Sequence, residues 1–119
     1  MAAPNLFAPT TCTAKTATQA ITTSATAVVS NAAASGTLVK VRSLLIANVT
    51  GSTSATATVD HYRSTTATRL VYAVSVPSGT TITPLGSDLQ IYLEEGDSLR
   101  LTASAGSALE AVCSYEVIS

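Results

Sequence analysis

The segment "LEEGDSLRLTAS" (93–104) gathers Glu94, Glu95 and Asp97 around Gly96, the densest group of carboxylates in the chain. Carboxylate oxygens are hard ligands, and calcium is the cation such a group would serve. Calcium takes roughly six to eight oxygens, a number that three acids do not supply. The second candidate is His61, the only histidine, which follows Asp60 in "VDHYR". Neighbours on a strand point to opposite faces, so Asp60 and His61 cannot relay a proton to each other within one strand. No G-x-S-x-G elbow presents a nucleophile to His61. The other acids, Asp88, Glu110 and Glu116, show no pairing that would set two carboxyl groups across a glycosidic bond. Gly-rich phosphate loops and HExxH are absent. With no tryptophan, sugar stacking would fall to Tyr62, Tyr72, Tyr92 and Tyr115, and the alternation places Tyr72 and Tyr115 on core faces. The sequence therefore assigns no catalytic, cofactor-binding or metal-ligating residue and no cofactor, and an enzyme is the last of its readings.

The elements that carry these residues read as strands. Turn signals recur at "NAAASG" (31–36), "TGST" (50–53), "RSTTAT" (63–68), "PSGT" (77–80), "PLGSD" (84–88), "EEGD" (94–97) and "SAGS" (104–107). Glycine supplies positive φ in such turns, and Ser, Asp and Asn bond back to the local backbone. The runs between them are rich in β-branched residues, which pack well on a pleated surface. In "TLVKVRSLLIANVT" (37–50), Val39 and Val41 alternate with Lys40 and Arg42, and then both faces turn apolar. Such a strand lies partly under another sheet or a neighbouring subunit. Ala55, Ala57 and Val59 share a face, as do Leu70, Tyr72, Val74 and Val76, and Leu109, Ala111, Cys113, Tyr115 and Val117. Leu89, Ile91 and Leu93 alternate before "EEGD", and Leu99, Leu101 and Ala103 after it. That pattern makes the acidic segment a hairpin tip with solvated acids, Gly96 in the left-handed region and Asp97 accepting turn amides. The segment "CTAKTATQAITTSATAVVS" (12–30) fits a helix through Ala14, Ala17, Ile21, Ala25 and Val28, but its threonine density favours two strands. The fold class is all-β: an antiparallel, jelly-roll-like β-sandwich over 11–119, preceded by an irregular N-terminal arm over 1–10 that contains Pro4 and Pro9.

The bulk properties bear on partners. At 119 residues the chain fits one domain, and much of its 46% hydrophobic content is alanine, which seals little area. Only 11% of residues are charged, against roughly a quarter in ordinary domains. Monomers usually stay soluble through mixed surface charge, so this deficit predicts either a surface buried in an assembly, the favoured reading, or one made soluble by Ser and Thr hydroxyls. The net charge is −1 and the six basic residues are scattered, which excludes the footprint needed to grip nucleic acid. The start has no basic and apolar leader pattern, and "LLIANV" is too short to cross a bilayer, so neither export nor a membrane is expected. Cys12 and Cys113 lie near opposite ends. They can bridge only if the first and last strands are neighbours, and two free thiols is the favoured reading.

The run "VKVRSLLIANVTGSTSATATVDHYRS", then "LVYAVSVPSGTTITPL" and "IYLEEGDSLRLTASAGSALEAVCSYEVIS", resembles small β-sandwich structural proteins of tailed bacteriophages. These are capsid cement or decoration proteins, spike-base proteins, and neck or tail components. The resemblance covers about residues 37 to 119 and lies in the order of features. It implies a non-enzymatic virion component, assembled in the host cytoplasm. Such a component self-associates as a trimer and binds the major capsid protein or another repeating virion surface. The expected role is capsid cement or decoration, with a neck, tail or spike-base part next. A carbohydrate-binding or adhesin module is the reading from a different class.

Overall fold

The computed structural model describes residues 4, 6–86 and 88–119. Nine strands follow in order: β1 (Cys12–Ala20), β2 (Thr26–Ser30), β3 (Leu38–Asn48), β4 (Ala55–Arg63), β5 (Thr66–Val76), β6 (Thr81–Leu85), β7 (Ile91–Leu93), β8 (Ser98–Ala103) and β9 (Leu109–Ile118). The Thr-rich N-terminal third therefore forms two strands, as its threonine density requires. Among the described residues there is no helix, and hence none long and apolar enough to cross a membrane.

One sheet runs β1-β9-β3-β6, with β7 also paired to β3, and the other runs β2-β8-β4-β5. All pairings are antiparallel. The chain changes sheets at every connection except β4–β5 and β6–β7, which is jelly-roll connectivity. Val39, Val41, Leu44 and Ile46 of β3 and Leu109, Ala111 and Cys113 of β9 face inward. Opposite them lie Ala55, Ala57 and Val59 of β4 and Leu99, Leu101 and Ala103 of β8. No aromatic residue is fully buried, so Val, Leu, Ile and Ala make the core.

Three register slips decide which side chains reach that core. A slip between Val41 and Ser43 moves the inward phase of β3 from odd to even residues, so Leu44 and Ile46 continue the face begun by Val39 and Val41. Leu45 is thereby turned outward beside its cross-strand partner Val112, at 39% and 40% exposure, and no second sheet covers them. Two further slips between β4 and β5 correct the expected β5 core face. Only Val76 of that set is buried. Val71 packs against the core instead, while Leu70 and Val74 are exposed and Tyr72 is 71% exposed. The physical cause is a bulge at Ala73, whose φ is 48° and whose amide donates to Thr58 Oγ1 at 3.0 Å.

The described part of the arm, residues 4 and 6–10, lies outside the strands. The amides of Thr10 and Thr11 donate to the Ser119 carbonyl and so moor the chain beside its own C-terminus. β1 and β9 are neighbours, yet Cys12 pairs with Ile118 and Cys113 with Ala17. Five residues along a strand is about 17 Å, far beyond the span of about 7 Å that a disulfide tolerates. Both thiols are free: Cys12 is exposed, and burial pushes the Cys113 thiol up to about 11.

Candidate functional site

The acidic segment is not a hairpin tip. β7 belongs to one sheet and β8 to the other, so residues 94–97 arch across the end of the sandwich. Gly96 turns the arch at φ 90°, a conformation that L side chains resist. Its three acids then take three environments. Glu94 is largely exposed and meets Arg63 Nη2 at 2.7 Å. Glu95 accepts the Gly36 amide at 2.8 Å, which ties the arch to the 31–37 loop. Asp97 is the opposite of solvated, with a side chain 1% exposed.

The buried Asp97 carboxylate is fully engaged. Arg63 donates to it twice, from Nε at 2.7 Å and Nη2 at 2.6 Å. The Glu94 amide donates at 2.9 Å, and His61 Nε2 lies at 3.1 Å. These donors, led by Arg63, hold the Asp97 carboxyl below the usual carboxylate range. Asp97 in turn keeps the Arg63 guanidinium charged. His61 and Arg63 sit two apart on β4 and so share its inner face, at the end where the apolar core gives out. This is a latch between β4 and the 94–97 arch, next to the Tyr62↔Ser98 pair of the β4–β8 ladder, built from a charge-assisted bidentate pair. It leaves the carboxylate no capacity for a metal, and no group of metal-binding side chains occurs among the described residues.

Asp60 points away from His61, as strand geometry demands. It accepts two bonds from Arg69 Nη1 at 2.8 and 2.7 Å on the outer face. Arg69 also lies 5.3 Å from the Tyr72 ring centroid, and Arg100 lies 3.4 Å over Tyr62. Sequence reasoning placed none of these partners: Asp60–Arg69 and Arg100–Tyr62 join residues from different strands, and Arg69 with Tyr72 flanks the irregular part of β5. Two buried asparagines were legible only in part. Asn31 donates to the Thr37 carbonyl within its own turn, and also to the Leu93 carbonyl at 3.0 Å. Asn48 donates to the carbonyls of Thr53 and Val76, and its own oxygen accepts from Thr50. Asparagine in "NAAASG" and "IANVTGS" signals the local turn, but not the long-range bond.

The surface depressions along the described residues are shallow and open. One, beside the latch, is lined by His61, Arg63, Ser64, Thr66 and Thr68. Another, apolar, runs between β5 and the β6–β7 connection along Leu70, Pro84, Leu89 and Ile91. Exposed apolar side chains include Leu45 with Val112 on the outer face of the first sheet, and Leu70, Tyr72, Val74 and Leu89 around the β5 edge.

No family model matches the chain, and no curated protein matches it. Among solved structures it is similar to a protein described under "Bacillus endospore appendages form a novel family of disulfide-linked pili". The identity is 12% and the TM-score 0.54, over 92% of this chain and 87% of that one. The likeness is one of fold.

Proposed function

We propose that the chain is a non-enzymatic building block of a repeating assembly, and specifically a cement or decoration protein on the capsid of a tailed bacteriophage. The observation that carries this reading is the pairing of exposed apolar side chains with internally spent charge. Arg63 and Arg69 are bound to buried acids, Arg42 meets Glu116 at 3.4 Å, and Arg100 stacks on Tyr62. Leu45, Val112, Leu70, Tyr72 and Leu89 meanwhile face outward. Exposed apolar groups with little competing charge gain most from a partner, and on a repeated surface weak contacts multiply through avidity. Self-association and a major capsid protein or other virion surface are the partners this requires. A neck, tail or spike-base position uses the same contacts on a different ring.

Immunogold labelling of particles from cells that produce the chain tests the reading. Gold over the shell supports cement, and gold at the neck or tail moves the protein there. Particles without label end the virion reading. Linear assembly, as in the pili of the structural neighbour, is the other geometry open to such a block, and electron microscopy of concentrated protein would show its fibres.

The carbohydrate-binding alternative gains one observation: Tyr72 is exposed beside the Arg69–Asp60 pair, an arrangement that can stack and hydrogen-bond a sugar. A glycan array on which the protein binds and Tyr72→Ala does not would favour it.

A further inference from the structure

We propose that β1 is a docking edge for a second copy of this chain. The two β1 strands pair antiparallel about a twofold axis through Thr16. This deepens the building-block reading by naming one contact of the assembly.

The argument begins with hydrogen-bond parity. Thr11 and Ser119 exchange both backbone bonds, each at 2.9 Å, and the Ile21 amide donates to the Leu109 carbonyl at 2.9 Å. Between these two anchors the register runs unbroken from Cys12↔Ile118 to Ala20↔Glu110. Antiparallel pairs alternate between bonded and non-bonded. Odd residues of β1 therefore spend their backbone groups on β9. Cys12, Ala14, Thr16, Thr18 and Ala20 turn their N–H and C=O groups to the free edge. These five residues are exposed, and among the described residues nothing pairs with their backbone.

The other edges are defended and this one is not. β5 carries two register slips, β2 carries one within five residues, and β6 contains Pro84 and a slip of its own against β3. Bulges and proline are the means by which natural sheets refuse added strands. β1 has nine consecutive pairs, no proline and one charge, Lys15.

Self-pairing suits that sequence. With Thr16 on the axis, Ala14 meets Thr18 of the second copy and Cys12 meets Ala20. Lys15 then lies across from Ala17 rather than from itself. The outward side chains are Cys12, Ala14, Thr16, Thr18 and Ala20, all small enough to let two backbones approach. On the outer face the row Leu45, Val112 and Thr18 reaches the β1 edge and there meets the small Ala14 of the second copy.

The test is specific to parity and register. Thr16→Pro removes an amide that points outward, so the fold is expected to persist while the dimer is lost by size-exclusion chromatography with light scattering. Ala17→Pro removes a bond to β9 and is expected to damage the fold. Ala20→Cys puts a thiol opposite Cys12 of the second copy, at the roughly 5.5 Å Cα separation of a bonded pair, within disulfide reach. On oxidation it should form a covalent dimer. Thr18→Cys, facing Ala14, should not. By NMR, amides of the even residues should exchange at least about tenfold more slowly in the associated protein than in Thr16→Pro. A chain that stays monomeric at millimolar concentration would overturn the proposal, as would a trimer or larger ring without the Ala20→Cys cross-link. If Thr16→Pro fails to fold, the cross-link alone decides. A dimer with this register that ignores phage shells would end the cement reading and leave the pairing intact.

Discussion

Asp97 is a buried anion held by two bonds from one arginine, and the consequences follow from that geometry. Asp97→Asn keeps the shape and the acceptor oxygen but strips Arg63 of its counter-charge, costing about 1–3 kcal/mol, the range for a buried hydrogen bond to a charged group. The cost depends on pH with a definite sign. The folded-state pKa of Asp97 is lowered, so its contribution is complete above the ordinary aspartate value of about 3.9 and disappears as the pH falls through the folded-state value. Urea unfolding should show a wild-type advantage over Asp97→Asn that is constant above pH 5, a little over one unit above that value, and shrinks in stronger acid. An advantage that grows in acid would contradict the latch. Sequence reading saw that Asp97 closes its own turn, because the Glu94 amide is three residues away. It did not see Arg63 or His61, whose approach depends on β4 lying beside β8 in the register Tyr62↔Ser98.

The same division between local and long-range signal holds for elements. Strand identity was legible even in the Thr-rich N-terminal third, because β-branched density is a property of the run itself. The inward face of β9 was legible because it is regular, and that of β5 was not, because its phase turns on Ala73, a residue with no turn signature. The β4–β5 connection was legible as a turn from "RSTTAT" (63–68), but its backbone geometry was not. Ser64 and Thr65 turn the hairpin with φ of 48° and 68°, the primed geometry that Asn-Gly satisfies and a β-branched residue resists. Replacing Ser64-Thr65 by Asn-Gly should therefore stabilise the protein by about 1 kcal/mol and raise its melting temperature by several degrees. Calorimetry that found a lower melting temperature would mean that the exposed turn is held by something other than its backbone preference. Prolonging the β4–β5 ladder is not at issue, since Arg63↔Thr66 already closes it.

At the scale of the whole molecule, the shortage of charge and the surplus of small apolar residues act together. The core is made of Val, Leu, Ile and Ala, and the four arginines are drawn into contacts with an acid or a tyrosine on a neighbouring strand or on the 94–97 arch. What remains outside is hydroxyls, alanines and a few large apolar side chains. Association through such a surface gains little from Coulomb attraction, and salt has little to screen. The oligomer should therefore hold its dissociation constant within about threefold across a tenfold rise in sodium chloride, and tighten in sulfate, which strengthens apolar burial. Leu45→Lys separates folding from assembly in the same measurement. Leu45 is partly exposed on the outer face, so the substitution should leave the unfolding midpoint nearly unchanged, as surface changes do within about 0.5 kcal/mol. It should leave the β1–β1 dimer intact, since β9 separates Leu45 from that edge, and weaken at least about tenfold any further association through the outer face, where a lysine ammonium would have to be dehydrated against the partner. Sedimentation velocity at two salt concentrations reads both effects. Association that collapses in salt would show that charge holds the copies together, and assembly beyond the dimer that tolerates Leu45→Lys would show that the apolar outer face is not a second contact.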